Sequence, residues 1–369
     1  MLIVRSPVRI SFGGGGTDLP AYYERFGGAV LSTSINKYFY TILQKRTDGN
    51  IQVISSDLRV VETWRDISRM DIKRSALEIP LAVIKDLGRN LSVDLFLASE
   101  ITAGTGLGSS ASVCVGVLRA LTSYLDLSIS KYDLAERSFR IARRILGKPV
   151  GKQDEYAAAF GGLNFISFNT DGTTCVEPIQ LRSDRLRELE SSLMLFFTGV
   201  AHNSWKLLEE QERCTKNHTG STVESLHELR ELADRMRGAL SKGDIWTFGD
   251  LLNESWEAKK RISSQISNPF IDEAYALARR NGARGGKIAG AGGGGFLLLF
   301  CDQPQQEKVR EALTGIELRE MAFSLDAHGA KVVANDPFID SDEKCGLRWT
   351  FAPSDSWTAS SRHKLITAA

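Results

Sequence analysis

The chain reads as an α+β protein of two domains, and three observations carry that reading. Strand-like runs crowd the first hundred residues, while long amphipathic helical stretches dominate later. A fresh apolar strand opens at Leu193 after a polar stretch. At 369 residues the chain also exceeds the length at which one core stops growing.

In order, Leu2-Ile3-Val4 and Val8-Arg9-Ile10-Ser11-Phe12 lead as strand into a first glycine loop, Gly13 to Gly16. Strands are predicted at Ala29–Leu31, Tyr38–Leu43, Ile51–Ile54 and Val93–Leu97, and apolar spacing predicts helices over 75–88, 110–125 and 131–147. These make a domain of residues 1–190. Residues 191–336 make a second, with a strand at Leu193–Phe197, helices over 203–242, 244–261 and 270–282, and a strand at Phe296–Phe300. From about Pro337 the sequence loses any period and reads as a partly disordered extension.

Composition narrows the function. Lys plus Arg, 46, nearly equals Asp plus Glu, 45, so there is no basic excess for a nucleic-acid partner. Apolar runs are too short to span a bilayer, and the start lacks a signal-peptide apolar core. Cys114, Cys175, Cys214, Cys301 and Cys345 are odd in number and follow no ligand spacing, which predicts reduced thiols in a cytoplasmic protein.

Chemistry is concentrated in three glycine-rich segments: Phe12 to Asp18, Gly104 to Ala111, and Gly285 to Gly295. Glycine lets backbone amides approach an anion where a Cβ would intervene. The middle segment runs from Gly104, Gly106, Leu107 and Gly108 into Ser109, Ser110 and Ala111, the start of an apolar helix. A helix N-terminus fed by such a loop can bind phosphate, and serine hydroxyls can ligate magnesium. An ordinary serine-capped helix would have the same sequence. No glycine loop ends in the Gly-Lys-Ser/Thr of a Walker A motif, and Gly290 to Gly295 is followed by a strand, which a dinucleotide fingerprint forbids.

Taken together, Pro7-Val8-Arg9-Ile10-Ser11-Phe12 through Gly16-Thr17-Asp18, Gly106-Leu107-Gly108-Ser109-Ser110-Ala111 and Gly290-Ala291-Gly292-Gly293-Gly294 resemble the three motifs of the GHMP kinases, over roughly residues 3–335. Gly151-Lys152-Gln153-Asp154, Tyr156 to Gly162 and Ile266-Ser267-Asn268-Pro269 resemble the branch that phosphorylates the anomeric hydroxyl of D-glycero-D-manno-heptose 7-phosphate. The resemblance implies a ribosomal-protein-S5-like N-terminal domain, a ferredoxin-like C-terminal domain, and ATP with Mg2+ as cofactors. It makes Asp154 the catalytic base with Arg9 beside it, and Gly104 to Ala111 the ATP loop, with Ser109 and Ser110 toward the metal. Gly15, Gly16, Thr17, Asp18, Lys152, Gly292 and Gly293 would bind the sugar or sugar phosphate. The residues by themselves also allow a helix-start Asp154, a solvated edge-strand Arg9, an Asp18 that caps the stretch after it, and an exposed loop Lys152.

Two positions depart from the family. His202 stands where arginine is more usual in the branch, and Ala142 stands where the family has a metal-holding glutamate. Ala135, Phe139, Ala142 and Leu146 fit one apolar helix face. Glu136 and Glu155 are the conceivable replacements. Other anomeric sugar kinases, and a non-catalytic nucleotide or sugar sensor with the same fold, are the alternative readings.

Overall fold

A computed structural model of the chain describes residues 1–199, 204–217 and 221–336. His202 and the extension beyond Asp336 lie outside them. Twelve strands form two sheets among these residues.

The first eight strands in chain order are β1 (Leu2–Gly13), β2 (Gly28–Lys45), β3 (Ile51–Ser55), β4 (Val60–Trp64), β5 (Val93–Ser99), β6 (Leu163–Phe168), β7 (Thr174–Pro178) and β8 (Leu193–Phe197). They are followed by β9 (Ala283–Ile288), β10 (Phe296–Cys301), β11 (Arg319–Glu320) and β12 (Lys331–Asn335). The larger sheet runs β12-β1-β2-β5-β3-β4, with β6 also on β2 and β7 on β6; the smaller runs β11-β8-β10-β9.

The two short runs expected before and after Pro7 are one strand, β1, and the two expected around Ile35 are one strand, β2. Pro7 is accommodated because the β1–β2 register shifts between Pro7 and Val8, so the missing N–H falls at an irregularity rather than inside a regular ladder. The chain does not stay with the second sheet to its end. β12 returns to pair with β1, Leu2 against Asn335 and Arg5 against Lys331.

Eleven α-helices complete the described residues: α1 (Pro20–Phe26), α2 (Glu78–Leu87), α3 (Ser109–Tyr124), α4 (Lys131–Arg140), α5 (Gln153–Phe160), α6 (Ser183–Ser192), α7 (Ser204–Asn217), α8 (Thr222–Ser241), α9 (Ile245–Lys260), α10 (Pro269–Arg280) and α11 (Gln303–Thr314). The helix expected over 203–242 is therefore two, α7 and α8. The one expected over 131–147 is α only to Arg140, after which Ile141–Ile145 forms a π-helical turn. In that turn the Leu146 N–H donates to the Ile141 carbonyl, five residues back, at 3.0 Å. The added residue breaks the 3.6 period on which the apolar-face reading of Ala142 relied.

Helices α3 and α5 pack against β1, as do α8 and α9, which is why Val8–Phe12 is buried at every position. The hydrophobic core runs from Val8, Ile10 and Phe12 through Phe248 and Trp256 to Leu297–Phe300 without a break between the sheets. Trp256 is part of that core, edge-on to Tyr275. The first four residues of the third glycine segment, Gly285 to Ile288, are strand. Gly285, in β9, lets α9 come close, since a Cβ there would sit 2.0 Å from the Gly249 carbonyl oxygen. Among the described residues no helix is long and apolar enough to cross a membrane.

Candidate active site

The buried half of β1 positions the first charged group. Arg9 is nearly enclosed, so the solvated edge-strand alternative does not hold. Its N–H donates to the Leu107 carbonyl at 2.9 Å, and its Nη1 to the Gly106 carbonyl at 2.6 Å, which fastens the glycine loop to the strand. Nε and Nη2 then reach both oxygens of Asp154, at 2.8 and 2.7 Å. A fork-to-fork pair of this kind fixes a carboxylate in position as well as in charge. Asp154 stands in the first turn of α5 and keeps its side chain 32% exposed, against 8% for Arg9.

The exposed part of Asp154 faces a cavity of about 320 Å³. Gly15, Gly16 and Asp18 line it from the first loop, and Gly104, Gly106, Gly108, Ser109, Ser110 and Ala111 from the second. Gly290 and Ala291 line it from the third. Helix α3 begins at Ser109 with Gly108 at its N-cap and no side chain capping it, so the serine-cap alternative fails. Its first-turn N–H groups and positive dipole end are left for an anion. Gly108 adopts φ +78°, and a Cβ on it would come 3.1 Å from Asp154 Oδ2 and 3.4 Å from Arg9 Cγ. Leu107 is buried and takes part only through its carbonyl.

Asp18 does not cap α1, whose N-cap is Leu19. Its Oδ1 accepts the Gly16 N–H at 2.9 Å and its Oδ2 the Gln153 N–H at 3.2 Å, so it ties the first loop to α5. Burial, and then the charge of Asp154, raise its pKa against the pull of those two N–H groups. Thr17 is turned inward: its Oγ1 donates to the Gly14 carbonyl and accepts the Ala29 N–H, which holds the loop without reaching the cavity.

Three expected substrate contacts lie elsewhere. The Lys152 ammonium is committed to Glu136 Oε1 at 2.6 Å and the Gly172 carbonyl at 2.7 Å, and it faces a separate cavity. Lys152 is the N-cap of α5, two residues before Asp154, and two helical steps of about 100° each turn the two side chains to opposite sides. Gly292 and Gly293 pack on Ile266, whose carbonyl accepts the Gly293 N–H at 2.7 Å, and do not line the cavity.

Lys259, from the last turn of α9, is a lining residue for which the sequence gives little signal. It sits in the stretch Glu254 to Lys260, among other charged residues on a helix, and only folding sets it apart from Lys260. Its ammonium donates to the Gly290 carbonyl. Burial, and then Arg9, lower its pKa to about 8. Lys287 lies deeper, at 3.4 Å from the Phe12 carbonyl, and burial pushes its pKa well down.

Ala142 lines the cavity instead of the core, so the apolar-face expectation is corrected. Of the two carboxylates that could replace the family's glutamate, Glu136 lines the separate cavity, where its Oε1 accepts Lys152 and the Tyr156 hydroxyl, each at 2.6 Å. Glu155 lines the cavity, is 2% exposed, and its Oε2 accepts no hydrogen bond. Burial, and then the Asp154 charge, raise its pKa well above the usual carboxylate range. Burial and then Glu155 raise the pKa of the Cys114 thiol in turn. A hard cation fits this donor set, with two serine hydroxyls and one unpartnered carboxylate oxygen. The cavity thus combines a positioned carboxylate, the cationic side chains of Arg9, Lys148 and Lys259, and an open helix N-terminus, which is the equipment of phosphoryl transfer to a hydroxyl.

Comparison with known proteins agrees. The descriptions "GHMP kinases N terminal domain" and "GHMP kinases C terminal" match residues 73–162 and 236–320. The chain is 33% identical to the D-glycero-alpha-D-manno-heptose 7-phosphate kinase of Campylobacter jejuni, over 89% of this chain and 97% of that protein. It is 26% identical to the L-fucokinase/L-fucose-1-P guanylyltransferase of Bacteroides fragilis, over 84% of this chain and 36% of that one. The crystal structure of a D-glycero-D-manno-heptose 1-phosphate kinase from Bacteroides thetaiotaomicron superposes with a TM-score of 0.76 at 28% identity, covering 91% of this chain and all of the other.

Proposed function

The chain belongs to the GHMP kinases and is a sugar kinase, a phosphotransferase with an alcohol group as acceptor; on that premise we propose that it transfers the γ-phosphoryl group of ATP to the anomeric hydroxyl of D-glycero-D-manno-heptose 7-phosphate or a related sugar. The observation that carries the proposal is the Arg9–Asp154 pair, held rigid from two sides and exposed to the cavity where three glycine loops meet.

Asp154 takes the proton of the attacking hydroxyl as its oxygen bonds to the γ-phosphorus and the bond to ADP breaks. Arg9 orients the carboxylate and neutralises part of its charge. Asp18 bonds sugar hydroxyls from the first loop while its carboxylate stays fixed by Gly16 and Gln153. The N–H groups at the start of α3 receive the nucleotide phosphates, and Lys259 offsets negative charge as it shifts toward the leaving group. Magnesium, held from the side of Ser109 and Ser110, would neutralise the triphosphate. Among the described residues Cys114, Cys175 and Cys301 are free thiols, which suits a cytoplasmic enzyme.

The test is ATP consumption against a panel of sugars and sugar 7-phosphates, with phosphorus NMR of the product. A phosphate resonance coupled to an anomeric proton is the expected result. Turnover confined to fucose or arabinose would move the acceptor within the family, and no turnover on any sugar would favour a binding protein that retains the fold.

A further inference from the structure

Two carboxylates follow each other at the start of α5, and the fold treats them differently. Asp154 has both oxygens on Arg9. Glu155 is 2% exposed, and its Oε2 has no partner at all. An ionised carboxylate taken out of water without a counter-charge is among the costliest things a core can hold. The charges that face it are Asp154, Asp18 and Arg9. Two are negative, and Arg9, the one cation among them, is already committed to Asp154 and the Gly106 carbonyl. None of the three neutralises an ionised Glu155, which stays a neutral acid until a cation approaches it.

Its position shows where that cation could sit. Glu155 shares the cavity wall with Ser109, Ser110 and Ala142. Cys114, whose thiol lies within the electrostatic reach of Glu155, is four residues beyond Ser110 on α3 and so on the same helix face. The Cys114 thiol also donates to the Ser138 carbonyl at 3.8 Å, and Ser138 precedes Ala142 by four residues. Glu155 therefore lies where α3 and α4 pack on α5, on a cavity wall that it shares with Ala142. On that wall position 142 offers only a methyl group.

We propose that Glu155, with Ser109 or Ser110, is the protein ligand for the divalent cation in this chain, the carboxylate having moved from position 142 to α5. This rests on the kinase reading above. A small hard cation accepts one or two protein oxygens beside triphosphate and water, so it can take its carboxylate from either position on that wall.

The experiment measures Mn2+ binding by electron paramagnetic resonance and calorimetry, in the presence of a non-hydrolysable ATP analogue. The full chain is compared with Glu155→Gln, Glu155→Asp and the double variant Ala142→Glu with Glu155→Gln. Glu155→Gln is expected to weaken Mn2+ about 10-fold or more, the scale on which disturbing a metal site acts, while metal-free ADP binds as before. Glu155→Asp is expected to lie between Glu155→Gln and the native protein, and the double variant to recover affinity. Unchanged Mn2+ affinity in a folded Glu155→Gln protein overturns the inference and leaves the kinase reading intact. Absence of any nucleotide or Mn2+ binding by the native chain overturns both.

Discussion

The second and third glycine segments look alike in sequence and are used differently. Along Gly104–Gly108 the residues Gly104, Gly106 and Gly108 all have positive φ, and the loop ends at a helix with no capping side chain. Its glycines line the cavity, and Gly106 also meets the third loop, where an added Cβ would sit 2.4 Å from the Ala289 carbonyl oxygen. Along Gly285–Gly295 the first glycines are strand, and the later ones bring backbone up to other backbone: a Cβ on Gly290 would sit 2.6 Å from the Gly106 Cα, and one on Gly295 2.3 Å from the Thr105 carbonyl oxygen. The third segment is thus the bed on which the second one rests. Glycine density marks where chain must come close to something, and only the fold says whether that is a ligand or another loop.

The strongest way to break this comparison is at the carboxylate the second loop faces. Asp154→Asn should bind ATP normally and lose about 10²–10⁴-fold in turnover, as read by single-turnover kinetics. Near-normal turnover in a folded variant would remove Asp154 as the base and with it the catalytic meaning of the loop.

The next effect separates support from chemistry. Gly290→Val places a β-branched residue at φ +73° against the Gly106 backbone and should cost about 3 kcal/mol of stability, by strain and overpacking together. Thermal unfolding would show it as a lowered midpoint. Gly108→Ala adds only a methyl, but next to Asp154 Oδ2. It should lower kcat more than it lowers the midpoint, whereas equal losses in both would make the two loops alike.

A pH titration sharpens the role of Lys259, which bridges α9 to the third loop. With its pKa near 8 when folded and about 10.4 when unfolded, the unfolded chain holds the extra proton between those values. Its contribution to stability therefore rises with pH across that window and is flat below it. Activity should run the other way: kcat/KM falls above about pH 8 as the cavity loses a cation. Lys259→Met, folded, should lack that alkaline limb; a limb that persists in it would assign the titration elsewhere.

The smallest effect is the control. Gly172 has φ +85° with nothing within 4 Å of an added Cβ, so Gly172→Ala should cost only the local backbone strain, about 1 kcal/mol, and leave kinetics unchanged. A large kinetic change would show that glycine position, apart from what it touches, affects the site.

Much of this was legible beforehand. Alternating and apolar runs placed β1, β2, β3 and β5, half the strands of the larger sheet, and a glycine loop running into serines marked the start of α3. The π-helical turn at Ile141–Ile145 was not legible, because a single inserted residue changes the hydrogen-bond ladder without changing composition. Lys152 and Lys259 show the same limit from two sides. The first stands two residues before Asp154 in sequence and is turned away to Glu136; the second is more than a hundred residues distant and lines the cavity.

What the sequence by itself determined is local and periodic: many of the strands and helices, which loops need glycine, and which residue types could move a phosphoryl group. The tertiary structure alone decided which of those residues meet. Burial and pairing depend on contacts between distant segments, so only folding could leave Asp154 held by Arg9 and open to the cavity while Glu155, its neighbour, lies buried with an oxygen that has no partner.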